Sequence, residues 1–252
     1  DLRLIFMEIG DIISESFKYP FNNGTDFLKV AALFVLLVIP AIFSALMLFS
    51  KNSLLMVVCT VIMIVCYIIF ALIAGGYFLS VIKEGINQSG LIPGYDFAKN
   101  IVDSIKVWVL GIIFSLIPAV IIFLLAFVVF GIGSANDAAL GIGLIIFVVI
   151  ALILAIIVYI FLTISVLRLA HYDSLSEALS FSAIKEDLSA IGIANFIIVY
   201  LVFTIIATAI FFIGAFILLI PILGVIVYMM FIIPYVYLAI AYGFGLMYSD
   251  IV

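Results

Sequence analysis

The chain reads as an all-α integral membrane protein. Six transmembrane helices are expected in three repeated units, each an interfacial amphipathic helix followed by a two-span hairpin. Three observations predict this. Of 252 residues, 69% are hydrophobic and 9% charged, with a mean hydropathy of +1.60, whereas a soluble domain carries about 25% charge. Several uncharged apolar runs exceed the ~20 residues needed to cross ~30 Å of hydrocarbon. Lipid cannot satisfy an open strand edge, and the ~10-residue alternating segments of a barrel do not occur, so the spans are helices.

Taken in order, residues 2–19 place Leu2, Ile5, Phe6, Ile9, Ile12, Ile13 and Phe17 on one helical face and Glu8, Asp11, Glu15 and Lys18 on the other. Such a stripe predicts a helix lying in the membrane interface; a helix packed on the protein's own inner ends fits equally. It is amphipathic, unlike the short apolar core of a signal peptide. Pro20 ends it and Asn22–Gly24 turn. A first span covers 27–49 with Pro40 near its middle, 50–53 turn tightly, and a second span runs from 54 to 82. The stretch 75–106 is the longest polar break, with Lys83, Glu84, Asp96, Lys99, Asp103 and Lys106. Within it 85–94 turn around Pro93, and Asp96 is placed to cap a helix. Phe97, Ile101, Ile105 and Trp108 then form an apolar stripe opposed by Lys99, Asn100, Asp103 and Lys106, feeding a third span that ends near Phe130. Trp108 sits where an interfacial aromatic belongs.

Residues 131–137 turn, and a fourth span runs to about Leu167. Ser174-Leu-Ser-Glu177 has the capping-box pattern and opens a third amphipathic segment through Asp187, with Leu175 and Leu179 on its apolar face. From Leu188 to Ser249 no residue is charged. That run is too long for one span, and Gly214–Gly224 with Pro221 is the expected reversal between spans five and six. The repeat (about 1–85, 86–170 and 171–252 within one membrane domain) rests on local matches. Asp26-Phe-Leu-Lys29-Val30 answers Asp103-Ser-Ile-Lys106-Val107, Ile39-Pro40-Ala41 answers Ile117-Pro118-Ala119, and Ser80-Val-Ile-Lys83 answers Ser165-Val-Leu-Arg168. In the third copy Ala190 stands where the basic residue would fall.

Six spans bring both termini to one side, together with Arg3, Lys18, Lys29, Lys83, Lys99, Lys106, Arg168 and Lys185. Only Lys51 falls opposite, so the positive-inside rule puts the termini and amphipathic helices in the cytoplasm of a cell-membrane protein. The net charge of −5 argues against nucleic acid, which needs concentrated positive charge.

Chemistry-bearing patterns are sparse. Every Asp, Glu, Lys and Arg lies at an expected span end or loop, unlike the intramembrane ionisable groups of ion-coupled transporters. Polar residues inside spans include Ser44, Thr60, Ser115, Thr163, Asn195, Thr204 and Thr208; Thr163, Asn195, Thr204 and Thr208 are candidates for a polar cavity, for helix-to-helix hydrogen bonds or for hydroxyls that bond back to their own carbonyls. Pro40, Pro118 and Pro234 are expected helix kinks, which either line a cavity or shape packing. His171 is the single histidine, with no companions for a metal site. Cys59 and Cys66, seven apart on one helix, stand about 10 Å from each other, too far for a disulfide. No catalytic, cofactor or metal residues are expected.

Gly76-Tyr77-Phe-Leu-Ser-Val-Ile-Lys83, Leu91-Ile-Pro93, Asp96-Phe97 and Asp103-Ser-Ile-Lys106 resemble an archaeal membrane family, domain of unknown function 4013. Its pattern is a Gly-Tyr…Val-Ile-Lys span end, a Leu-Pro…Asp turn and an Asp-Gly-Leu-Lys helix. Ser104 replaces the usual Gly, and Ser80 stands where a basic residue is frequent. Segments 174–192 and 242–248 extend the likeness along nearly the whole chain. The resemblance implies an archaeal cell-membrane protein and brings no activity. The expectation is a non-enzymatic, homo-oligomeric structural or membrane-organising component in contact with lipid. A channel or carrier for a neutral or lipid-like solute, and an accessory subunit among other membrane subunits, are the alternatives.

Overall fold

The computed structural model describes residues 8–49, 52–133 and 137–252. Leu2, Arg3, Ile5, Phe6 and Lys51 lie outside the described residues. Those residues form helices α1 (Ile9–Lys18), α2 (Gly24–Leu33), α3 (Val35–Phe49), α4 (Ser53–Ile86), α5 (Phe97–Gly133), α6 (Asp137–Tyr172), α7 (Leu175–Ala178), α8 (Phe181–Ile191), α9 (Ile193–Ala215), α10 (Leu223–Val227) and α11 (Ile233–Ser249). No strand occurs among them. Six segments are long and apolar enough to cross a bilayer: Gly24–Ser44, Ser53–Ile86, Phe97–Gly131, Leu140–Tyr172, Ile193–Leu219 and Leu223–Ser249. The protein is a multi-pass membrane protein.

Helix starts follow local chemistry. The Asn23 side chain accepts from the Thr25 and Asp26 amides at 3.1 and 3.3 Å, and Asn52 from Leu54 and Leu55 at 3.0 and 3.2 Å. Asp96 accepts from Lys99 N–H at 3.1 Å, and Ser174 from Glu177 N–H at 3.5 Å. Each side chain satisfies amides that the first helical turn leaves without partners. Residues 97–106 and the third span are one continuous helix of 37 residues, about 55 Å long. That exceeds the ~30 Å hydrocarbon thickness, so the charged first turns of α5 extend beyond it.

The residues group into two compact units, one of Asp1–Ile105 with Glu186–Val252 and one of Lys106–Lys185. These cuts fall within α5 and α8, whereas the sequence pattern divides the chain near 85/86 and 170/171.

In the first unit α4 packs along α11 and α3, and α1 lies on α11 and α9. The α4–α11 contact is set by glycine. A methyl group at Gly85 would stand 2.9 Å from the Gly245 Cα, and one at Gly245 would stand 2.8 Å from the Gly85 Cα and collide with the Ile82 carbonyl. Small residues are what allow helix backbones to approach this closely in a membrane. α1 buries Ile12 and Ser16 and leaves Glu8, Asp11 and Glu15 exposed, so its inward face meets the protein itself.

The first span breaks at Phe34, six residues before Pro40. The Phe34 amide bonds to Ala31 O at 3.0 Å, three residues back rather than four. The Val30 carbonyl thereby released accepts the Tyr95 hydroxyl at 3.3 Å. The tightened turn seats the buried Phe34 ring edge-on to Phe70 and Tyr237, at 5.1 and 5.7 Å between centroids. Pro234, by contrast, stands in the first turn of α11, directly after a π-helical segment Tyr228–Ile232. A local π adjustment is one way a span absorbs the missing proline N–H.

In the second unit α6 caps α7. Ser165 Oγ donates to Ala178 O at 2.6 Å and Arg168 Nε to Glu177 O at 2.9 Å. The Arg168 guanidinium also lies 3.3 Å from the Glu177 carboxylate and 5.0 Å from the centre of the Tyr172 ring. Arg168 is 3% exposed, so its charge is held by these partners rather than by water. Ser80, which the sequence pattern aligns with Ser165, instead bonds back to Gly76 O at 3.3 Å. Lys106 pairs with Asp173 at 2.6 Å.

Three outcomes check this packing. Gly245→Ala is expected to destabilise by ~1–3 kcal/mol, the usual cost of overpacking. Gly111→Ala, where a methyl meets nothing within 4 Å, should leave the unfolding temperature in detergent unchanged or slightly raised. Arg168→Met should cost about 1–3 kcal/mol by leaving buried acceptors unpaired, seen as faster amide exchange confined first to residues 175–180.

Candidate functional site

The polar break 75–106 is positioned by tyrosines of the first unit. Tyr19, in the turn after α1, donates to Leu91 O at 2.7 Å, and Tyr77 of α4 donates to Pro93 O at 2.8 Å. Asn22 adds a bond to Gly90 O at 3.1 Å, and Gln88 one to Ser249 Oγ at 3.0 Å. Gly90 takes φ +66°, where glycine has no Cβ penalty. The Tyr19 ring stacks on Tyr242 of α11 at 3.9 Å and 5°, and Tyr77 meets Tyr95 at 4.7 Å. Tyr235 donates to Phe17 O at 2.9 Å, satisfying a carbonyl at the end of α1. Tyr248 donates to the Asp187 carboxylate at 2.5 Å.

The start of α5 completes this layer. Gly76 faces the Asn100 backbone so closely that a Cβ would overlap it, and Ser104 Oγ donates to Ala71 O at 3.0 Å. Asn100, Asp103 and Ser104 are all buried, while Phe97, Ile101, Ile105 and Trp108 are exposed. The polar side of this segment therefore turns into the protein and the apolar side outward. Asn100 Nδ2 is buried without a hydrogen-bond partner among the described residues.

Beside the layer, between α1, α9 and α11, lies a cavity of about 310 Å³. Ile9, Ile12, Val199 and Met247 form its apolar wall, and Asn195 and Asp250 supply polar atoms. Asn195 Nδ2 donates to Ile191 O at 3.1 Å. The cavity lining thus pairs an apolar wall with an amide and a carboxylate. Among the described residues no three His, Cys, Asp or Glu side chains come together as a metal site.

Of the residues picked out by sequence, Asn195 lines this cavity and Ile9 does too. Thr163 and Thr204 bond back to Tyr159 O and Tyr200 O, each at 2.8 Å. Thr204 and Thr208 are on the exposed side of α9. Phe17, Leu175 and Leu179 are half-buried. Pro40 lies inside α3, with Ser44 Oγ bonded to its carbonyl at 2.9 Å, and Pro118 lies on the wall of an apolar groove in the second unit. His171 is exposed, its ring edge-on to Tyr172 at 4.5 Å. The sequence assigns no packing role to Tyr19, Tyr77, Tyr95 or Tyr235, although Tyr77 belongs to the Gly76-Tyr77 motif. Tyr19, Tyr77 and Tyr95 lie toward the charged side, a position ordinary interfacial aromatics share, while Tyr235, in the middle of the sixth span, carried no such signal.

The sequence profile of the family described as protein of unknown function (DUF4013) matches residues 59–219. The chain belongs to that family. No curated protein and no solved structure matches it.

The tyrosine layer has a pH signature. Burial pushes the Tyr19 hydroxyl well above its ordinary range, with Glu84 and Tyr242 adding to the effect, and burial raises Tyr95 as well. Both fold as neutral donors, so their contribution is complete below the unfolded value of about 10 and is lost as pH rises through the higher folded values. In an absorbance titration these tyrosines should ionise only as the protein unfolds in strong base. Tyr19→Phe should cost about 1 kcal/mol in thermal stability at neutral pH.

Proposed function

We propose that this member of the family is a non-enzymatic, homo-oligomeric membrane-organising component. In this reading it sits in an archaeal cell membrane with both termini cytoplasmic, and three repeated units each join an interfacial helix to a hairpin. The observation that carries it is the outer side of α4. Val57, Val61, Ile64 and Ile68 are 50 to 60% exposed on a helix whose other side packs on α3 and α11. Their spacing of four, three and four is the seam of a left-handed helix pair, and β-branched side chains hold one rotamer in a helix, so a second copy would meet a pre-ordered surface. Eight of nine basic residues on the inferred inner side support the orientation.

A second reading, a carrier for a neutral or lipid-like solute, is favoured by one observation, the amphiphilic cavity at Asn195. It differs in requiring that the cavity open to both sides of the membrane. The role of accessory subunit remains the alternative in which the outer side of α4 meets a different chain.

The test replaces Cys59 and Cys66 by Ala and introduces Val61→Cys or Ile64→Cys, with oxidation in native membranes. Covalent dimers from these positions, and none from the buried Leu79→Cys, are expected. Native mass spectrometry that finds only monomers, or stoichiometric foreign subunits, would overturn the reading.

A further inference from the structure

The second unit contains an apolar groove of about 290 Å³ between α5 and α6, roofed by the start of α8. Ile113, Ile117 and Pro118 line one wall and Leu154 and Phe161 the other, with Phe181 and Lys185 closing one end. Phe181 bridges the walls, its ring 5.4 Å from Phe114 and 6.2 Å from Phe161. Phe114 lies eight residues beyond Lys106 in α5, so the closed end is about 12 Å along the helix from that charge layer. From there the groove runs to Ile121 and Leu154, about 10 Å further along.

Lys185 is the one charged residue in the lining. It stands four residues after Phe181, on the same side of α8. Its side chain is exposed, and it forms no ion pair among the described residues. Glu186 and Asp187 follow it, but residues one and two apart do not share a helix face, and Asp187 is engaged by the Tyr248 hydroxyl. The groove thus offers a hydrocarbon-lined slot and a single unpaired ammonium at one end.

We propose that this groove is a binding site for an anionic bilayer phospholipid, with one hydrocarbon chain along the slot at Pro118 and the headgroup phosphate on Lys185. The chain fits because the lining has no polar side chain apart from Lys185. The phosphate fits because a basic group between helices at the membrane edge attracts anionic headgroups, and a long lysine stem reaches from an apolar wall to the interface. Zwitterionic lipid fills the slot equally well but gains no net attraction at the ammonium.

The test is native mass spectrometry of the full chain equilibrated with equal amounts of phosphatidylglycerol and phosphatidylcholine. The first bound lipid should favour phosphatidylglycerol by about fivefold. Lys185→Gln should bring that ratio to near one while total lipid bound stays the same, and Lys185→Arg should restore it. Ile117→Trp or, if that variant fails to fold, Leu154→Phe should lower retention of both lipids by filling the slot. No preference in the wild type, a preference that survives Lys185→Gln, or undiminished retention with the slot filled would each overturn the proposal.

Discussion

The first unit depends on how closely α4 and α11 approach. Gly85 and Gly245 face each other across that contact, and each occupies space that a side chain would take from the opposite backbone. Between lipid-embedded helices hydrophobic burial contributes little, because the hydrocarbon solvent is as apolar as the side chains. Dispersion between close-packed surfaces must hold the pair instead. Gly243, two residues away and so on the other side of α11, faces Ser16 of α1 and Phe203 of α9. Glycines on two sides of α11 therefore admit α4 on one side and α1 and α9 on the other.

A second constraint is that backbone carbonyls near or inside lipid need partners, since no water is at hand. The protein meets it with hydroxyl and guanidinium donors at places where helix geometry leaves an acceptor open. Tyr95 takes the Val30 carbonyl where the first span tightens, Tyr235 takes Phe17 O at the end of α1, and Tyr19 and Tyr77 take carbonyls of the 87–96 loop. Ser165 and Arg168 do the same for α7 in the second unit. Tyrosine suits this work because its ring packs as an apolar body and its hydroxyl reaches a polar partner.

The cavity at Asn195 lies beside the tyrosine layer of the first unit, and the groove at Pro118 runs along the middle of α5 and α6. The one at Asn195 mixes apolar and polar lining, and the one at Pro118 is apolar with a lysine at its end. Hydrocarbon slots with one polar end match the shape of membrane amphiphiles. Together with the exposed apolar side of α4, they direct functional attention to lipid and to neighbouring chains.

The sequence alone determined the membrane class, the six spans and several helix starts. Long uncharged runs admit only helices, and Asn23, Asn52, Asp96 and Ser174 cap through atoms close by in the chain. It also located the apolar reversal between Gly214 and Gly224, where the described helices α9 and α10 leave a gap. Periodicity separated the two faces of residues 97–108 but not which one turned inward. Asn100, Asp103 and Ser104 are buried only because Gly75 and Gly76 of α4 let that segment come close. Likewise sequence left open whether Thr163 and Thr204 face a cavity or bond back within their own helices, and their hydroxyls are used by carbonyls one turn earlier. The break at Phe34 and the tyrosine bonds join residues as far apart as Phe17 and Tyr235. Such choices depend on which distant helix supplies the donor, and that was decided by tertiary packing.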